Sequence, residues 1–290
     1  MTNERTGLPA SGKLYVVATP IGNLGDLSAR ARDTLASCSL IAAEDTRHTG
    51  VLLKAFGIGT PQLSLHDHNE ARRAFEIIAR LREGKSIALV SDAGTPLISD
   101  PGFELIRQVA AAGLDIIAVP GPCAAIAALS IAGLPTDRFC FEGFLPARSA
   151  ARRQRLKLLA PEVRTLVIYE SPHRVRDTLE DCVAAFGASR AAAIVREATK
   201  LHETTYRGSL EELLLQSQSN PDLSRGEIVL IVGGVQSPAC DTDAEMTAGL
   251  DNVLKVLLAE LPLKQAAHLA AQITGARANE AYKRALFLKQ

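Results

Sequence analysis

The chain has 290 residues, 47% of them hydrophobic and 22% charged, which excludes an intrinsically disordered protein and supplies enough apolar material for two ordinary α/β domains. Its 32 Lys+Arg balance 32 Asp+Glu, so overall charge does not draw it onto nucleic acid, although a local basic patch stays open. The five cysteines (Cys38, Cys123, Cys140, Cys182, Cys240) are odd in number and never form a CxxC pair, which argues against a disulfide framework or structural zinc and for a reducing compartment.

No stretch approaches the roughly 20 apolar residues that span a bilayer, and Met1 to Ser11 lack the apolar run of a secretory signal, so a cytoplasmic protein is expected. In chain order, Leu14–Ala18 reads as a buried strand, and Asp26 caps the helix after it, with Leu27, Ala31, Leu35 and Cys38 on one face. Strands follow at 40–43, 62–65, 87–90 and 115–119. Between them a helix after Asn69 carries Ala71, Ala74, Phe75, Ile78 and Leu81, and Asp100-Pro101 opens another that Gly113 closes. Five strands separated by helical segments predict a mainly parallel sheet with helices on both faces. The run Ala132-Gly133-Leu134-Pro135-Thr136 places a boundary between a domain at 12–132 and a second α/β domain at 136–236. The second has strands at 139–142, 165–169, 192–196, 204–207 and 228–232, and a helix from Ser171-Pro172. Past a linker at 237–243, residues 241–290 read as helices only, forming a small C-terminal extension.

Ligands of parallel α/β sheets lie outside the carboxyl ends of the strands. Three loops at such ends stand out: Thr19 to Asp26, Ser91 to Asp100, and Pro120 to Ala124. Their small residues let a ligand approach backbone N–H and C=O groups. Glycine at one such turn is ordinary turn chemistry, but three at one sheet end predict a ligand crevice. No GxGxxG follows the first strand and no GxxxxGK[ST] occurs, which sets aside nicotinamide oxidoreductases and P-loop NTPases.

The blocks Tyr15-Val16-Val17-Ala18-Thr19-Pro20-Ile21-Gly22-Asn23-Leu24, Ala43-Glu44-Asp45-Thr46-Arg47 and Val90-Ser91-Asp92-Ala93-Gly94-Thr95-Pro96 closely resemble the bacterial ribosomal RNA small-subunit methyltransferase I family. So do Gly143-Phe144-Leu145-Pro146, Tyr169-Glu170-Ser171-Pro172-His173-Arg174 and Arg196-Glu197-Ala198-Thr199-Lys200. In the right order, these blocks span most of residues 13 to 235. The resemblance implies the tetrapyrrole methylase fold, with S-adenosylmethionine between two α/β domains, and 2′-O-methylation of a cytidine ribose in the decoding region of 16S ribosomal RNA. It also implies a homodimer whose partner is that RNA or the assembled small subunit. By position, Pro20, Asp92, Gly94, Thr95, Pro120, Gly121, Cys123 and Ala124 would line the cofactor cleft from the first domain. Tyr169, Ala198 and Glu227 would do so from the second, beside Glu197. Cys123 stands where the family usually has serine, which puts a hydroxyl contact there in doubt; Ala198 replaces a common leucine, a conservative change.

Asp92 is read either as the acid near the cofactor's charged methionine end or as a turn-capping aspartate. Transfer to a ribose hydroxyl needs in-line geometry and a group to take the proton. Lys200, beside Glu197 and Glu203, is the candidate base if its pKa is depressed, and otherwise a solvated lysine between acids. On a helix, Arg148, Arg152 and Arg155 share one face at i, i+4, i+7, which suits phosphate contacts as well as a plain solvated face. Arg47 and Arg174 lie in the matched blocks and are further candidates for the RNA. His66-Asp67-His68 lacks a third convincing ligand, and no metal is assigned. With no Trp and 4% aromatics, a base-stacking platform is not expected. Lys264, His268, Arg277, Lys283 and Arg284 make the C-terminal helices either an RNA-holding bundle or a packing appendage.

Two other readings stay open. A small-molecule tetrapyrrole methylase would share the fold, but the 91–96 loop stands where those enzymes typically carry a glycine-aspartate-proline turn. A non-catalytic ribosome-assembly factor would bind S-adenosylmethionine without turnover.

Overall fold

A computed structural model describes residues 11–66, 69–235 and 242–288, the side chains of 242–248 excepted. The chain divides into two compact units, Met1–Val235 and Gln236–Gln290. In the first, the strands β1 (Leu14–Val17), β2 (Leu40–Ala43), β3 (Gln62–Ser64), β4 (Ile87–Val90) and β5 (Ile116–Val119) form one sheet in the order β3-β2-β4-β1-β5. Every pairing in it is parallel. The short apolar runs LIAA and IALV in its middle are buried on both faces, as a helix-covered parallel sheet requires. The crossover helices are α1 (Ala29–Ser37), α2 (Thr46–Ala55), α3 (Glu70–Arg82) and α4 (Phe103–Ala111), and α5 (Ala124–Ile131) leads out of the sheet.

The second sheet is mixed. Its strands β6 (Phe139–Phe144), β7 (Thr165–Glu170), β8 (Ala191–Arg196), β9 (Thr204–Ser209) and β10 (Ile228–Val232) run in the order β6-β7-β10-β8-β9, with only β6 and β7 parallel. The helices α6 (Ser149–Leu159), α7 (Val175–Phe186) and α8 (Leu210–Ser219) cover one face with Leu156, Leu179, Leu210 and Leu213. The small residues Ala125 and Ala128 of α5, with Leu129, cover the other against Val167, Ala193, Val195, Val229 and Ile231. One helix from the first half thus closes the second core.

Two helix starts and one helix face differ from the sequence reading. Ser28, not Asp26, caps α1, its hydroxyl accepting from the Ala31 N–H at 3.1 Å, because a short 3₁₀ turn at Leu24–Asp26 comes first. Gly102 precedes α4, and Asp100 turns toward the sheet end instead of capping. Phe75 is exposed on α3, whose core face runs through Ala74, Ile77 and Leu81.

The second unit holds α9 (Thr242–Glu260), α10 (Leu263–Thr274) and α11 (Ala278–Leu288), closed around Leu250, Leu254, Ala267, Ala270, Ala281 and Ala285. Arg284 grips Asp251 through two bonds of 2.6 and 2.7 Å, tying α11 to α9. Lys264, His268, Arg277 and Lys283 are exposed. Among the described residues no helix is long and apolar enough to cross a membrane, and the four described cysteines are free.

Candidate active site

The loops leaving β1, β4 and β5 are tied to one another. Thr19 and Gly94 exchange two backbone hydrogen bonds of 2.9 and 3.1 Å, and the Thr95 hydroxyl donates to the Pro122 carbonyl at 2.9 Å. The site wall is therefore built before any ligand arrives. Opposite it stand the ends of β6, β7, β8 and β10, and between the two sheets lies a cleft of about 480 Å³, within the range of sites for a mid-sized ligand.

Of the residues expected to hold a cofactor, Asp92, Gly94, Thr95, Cys123, Ala124, Tyr169, Ala198 and Glu227 line this cleft. Pro120 and Gly121 do not, being exposed just before the turn into α5, and Pro20 faces a different cavity beyond the first loop. The sequence reading missed the apolar walls Ile21, Ile98, Phe144, Val195 and Val229 and the acids Glu44, Asp100 and Glu170. Glu170 and Phe144 sat inside motif blocks already singled out; Val195 and Val229 carry no signal, since a strand-end valine looks like any core valine.

Tyr169 anchors the second-sheet wall. Its hydroxyl oxygen accepts from the Ala125 N–H at 3.1 Å, and Phe141 and Phe144 meet its ring edge-on at 4.9 and 5.6 Å. Burial, and then the nearby Cys123 thiol, push its phenol far up, so it stays neutral and serves as a wall and acceptor. Among the described lining residues are five acids and no lysine or arginine. Asp92 is held by the Asp45 N–H, which donates to its Oδ1 at 3.0 Å. Burial, with Asp92 adding like charge, raises the Asp100 carboxyl above its usual range.

Glu197 and Lys200 form a network at the cleft edge. Glu197 Oε1 accepts from Lys200 Nζ at 2.9 Å and from the Glu227 N–H at 2.8 Å, while Lys200 reaches Glu227 Oε2 at 3.2 Å. Burial alone would lower the Lys200 ammonium, but the bond it donates to Glu197 and the charge of Glu227 outweigh it and the net shift is upward. This corrects the reading of Lys200 as a base with a depressed pKa: the lysine is held charged. Burial raises Glu197, and the Glu227 N–H and Lys200 outweigh that to bring it below its usual value. The network leans on two glycines. A Cβ at Gly22 would lie 2.3 Å from Lys200 Cγ, and one at Gly226 2.6 Å from Glu197 Cδ, and both glycines have positive φ. Leu97, Ser99, Glu197 and Thr199, the non-glycine residues of the described chain with positive φ, all lie in the two loops flanking the cleft, where backbone strain concentrates at functional sites.

The arginines expected to meet phosphates separate. Arg152 is buried and donates to Asp181 Oδ2 at 2.7 Å, tying α6 to α7. The face shared by Arg148, Arg152 and Arg155 proves to border the core face, because Leu156 and Leu159 follow Arg152 at i+4 and i+7. Arg155 remains half-exposed while pairing with Glu142 at 2.6 Å, and Arg148 is exposed. Arg174 donates to the Leu145 carbonyl at 2.9 Å and pairs with the fully buried Glu170, so it braces the end of β7. Arg47 is 90% exposed beside Asp45. His66 sits 3.0 Å from the Asn69 amide, and Asp67 and His68 of the His-Asp-His run lie outside the described residues.

The profile of the tetrapyrrole (corrin/porphyrin) methylases matches residues 13–214, and that of the RsmI C-terminal HTH domain matches 244–289. The chain is 52% identical to the ribosomal RNA small subunit methyltransferase I of Escherichia coli O157:H7 over 286 residues, 99% of each chain. Solved structures with the same fold include a cobalt precorrin-4 methyltransferase of cobalamin biosynthesis, at TM-score 0.58 and 19% identity, covering 76% of this chain and 94% of that one. Another is the Thermus thermophilus uroporphyrin-III C-methyl transferase complexed with S-adenosyl homocysteine, at TM-score 0.52 and 19% identity, covering 77% and 97%.

Proposed function

The chain belongs to the tetrapyrrole methylase family, in its ribosomal RNA small subunit methyltransferase I branch, and from that premise we propose that it methylates the 2′-oxygen of a cytidine ribose in the decoding region of 16S ribosomal RNA, using S-adenosylmethionine. The observation that carries the reading is the charge of the cleft. Of its five carboxylates, Glu170 is buried against Arg174 and Glu227 meets Lys200, while Asp92 and Asp100, with no lysine or arginine among the described lining residues, favour a ligand that brings its own positive charge, as a sulfonium with an α-ammonium does. The apolar walls of Ile21, Phe144, Val195 and Val229 suit an adenosyl group beside it.

Bound there, the cofactor supplies an electrophilic methyl group. The chain's part is to hold, orient and move a proton. Asp92, Gly94, Thr95, Cys123 and Ala124 hold the ligand from the first half, with Tyr169, Ala198 and Glu227 from the second. The charged state of Lys200 supports a carboxylate as the group that takes the hydroxyl proton. Glu227 is that group in this reading, since it faces both the cleft and Lys200, with Lys200 and Glu197 positioning it. Residues 12–132 and 136–236 act as the two halves of the methyltransferase, and 241–290 as an RNA-holding extension through Lys264, His268, Arg277 and Lys283.

The test is transfer of a radiolabelled methyl group to small ribosomal subunits from a strain lacking this gene, with naked RNA and tetrapyrrole precursors alongside. Label mapped to a cytidine 2′-oxygen is the expected result. Label in a tetrapyrrole, or cofactor binding without transfer, overturns it. Deleting residues 241–290 should weaken affinity for the RNA, and unchanged affinity removes the extension from the reading.

A further inference from the structure

A second cavity of about 250 Å³ lies on the other side of the first loop, lined by Pro20, Gly22, Leu24, His48, Thr49, Val51, Leu52, Ser91 and Asp92. The cofactor reading does not use it, and it explains why Pro20 faces away from the cleft. Two observations join it to the reacting centre. Asp92 lines both cavities, so one carboxylate separates them. The Lys200 side chain lies directly over Gly22, which places the Glu197–Lys200–Glu227 network at the cavity's edge.

The chemistry of the walls selects the occupant. Pro20, Leu24, Val51 and Leu52 offer flat apolar contact, the His48 ring offers a polar edge, and the Asp92 carboxylate offers an acceptor. Asp92 Oδ1 is already engaged by the Asp45 N–H, which leaves Oδ2 to accept from an exocyclic amino group. Resting on the function proposed above, we infer that this cavity receives the base of the target nucleotide, flipped out of its stack. Asp92 reads the amino group of the base, and the ribose lies between the cavity and the Lys200 network. Enzymes acting on one nucleotide of structured nucleic acid commonly extrude it into such a pocket, and carboxylates read the amino group of cytosine.

Two variants and two substrates test the inference. Leu24 is half-exposed at the rim, so Leu24→Trp fills the mouth without touching the core, and His48→Ala removes the polar edge of an exposed wall residue. Both should bind S-adenosylmethionine as the unaltered chain does, which also verifies folding, while KM for the RNA rises about tenfold or more for Leu24→Trp and less for His48→Ala. With the unaltered chain, an RNA lacking the base at the target nucleotide, or carrying uracil there, should show a similar rise. Robust transfer by the unaltered chain with no change in KM for Leu24→Trp, for the abasic RNA or for the uracil RNA overturns the pocket and leaves the methyltransferase reading intact. No transfer to RNA by the unaltered chain overturns both.

Discussion

Two clusters of opposite charge occupy very different places in this chain. Arg152 and Asp181 meet between α6 and α7 with side chains 4% and 11% exposed, sealed from water and from any ligand. Lys200, Glu197 and Glu227 meet at the cleft edge, with Glu227 72% exposed and the loop around them strained at Glu197 and Thr199. The first is a packing device: two charges answer each other inside the core and tie α6 to α7. The second leaves one carboxylate facing the cleft while the lysine steadies it, and in the function proposed above the same residue types serve chemistry there. Burial and backbone strain, not residue identity, distinguish the two.

The sharpest way to break this contrast is Asp181→Ala, which strands the Arg152 guanidinium in the core. Stability should fall by about 3–5 kcal/mol, read as a lower denaturant midpoint, and the apolar pair Arg152→Met with Asp181→Leu should recover most of it. Lys200→Met does the reverse. Methyl transfer should fall by about two orders of magnitude, with the unfolding midpoint little changed. If Lys200→Met proves as destabilising as Asp181→Ala, both clusters are structural. A smaller effect comes from Asp100. Its carboxyl is raised in the fold, so its contribution to stability is present below its unfolded pKa and lost as pH rises through the folded value. Asp100→Asn should therefore stabilise the chain near neutral pH, and thermal melts should show the gain vanishing at acid pH. The smallest expected effect on the fold is that of Arg47→Ala. The melting point should not move, while the slope of RNA affinity against salt drops by about one counterion if that exposed guanidinium meets a phosphate.

The ten strands were legible because short apolar runs bounded by glycine, proline and aspartate leave few alternatives, and each lies within a residue or two of its expected place. The cleft loops were legible for the same reason that makes them useful: small residues cluster where backbone must come close to something. Arg152 was not legible, since its meaning depends on Asp181, 29 residues further along, and helical spacing alone does not say which side of a face looks inward. Nor was the state of Lys200, which depends on Glu227 brought alongside by the pairing of β8 with β10. Periodicity reports what a segment does with its own face; it carries no information about which charge waits across a sheet.

The passage of Lys200 over Gly22 has an evolutionary consequence. The two residues come from loops after strands of different sheets, β1 and β8, yet a Cβ at position 22 collides with the long side chain at position 200. Gly22→Ala and Lys200→Ala should therefore be strongly non-additive, the second relieving the collision the first creates and leaving only the penalty of a positive φ. Drift at either site is conditioned on the other, so these two positions are expected to change together across lineages or not at all.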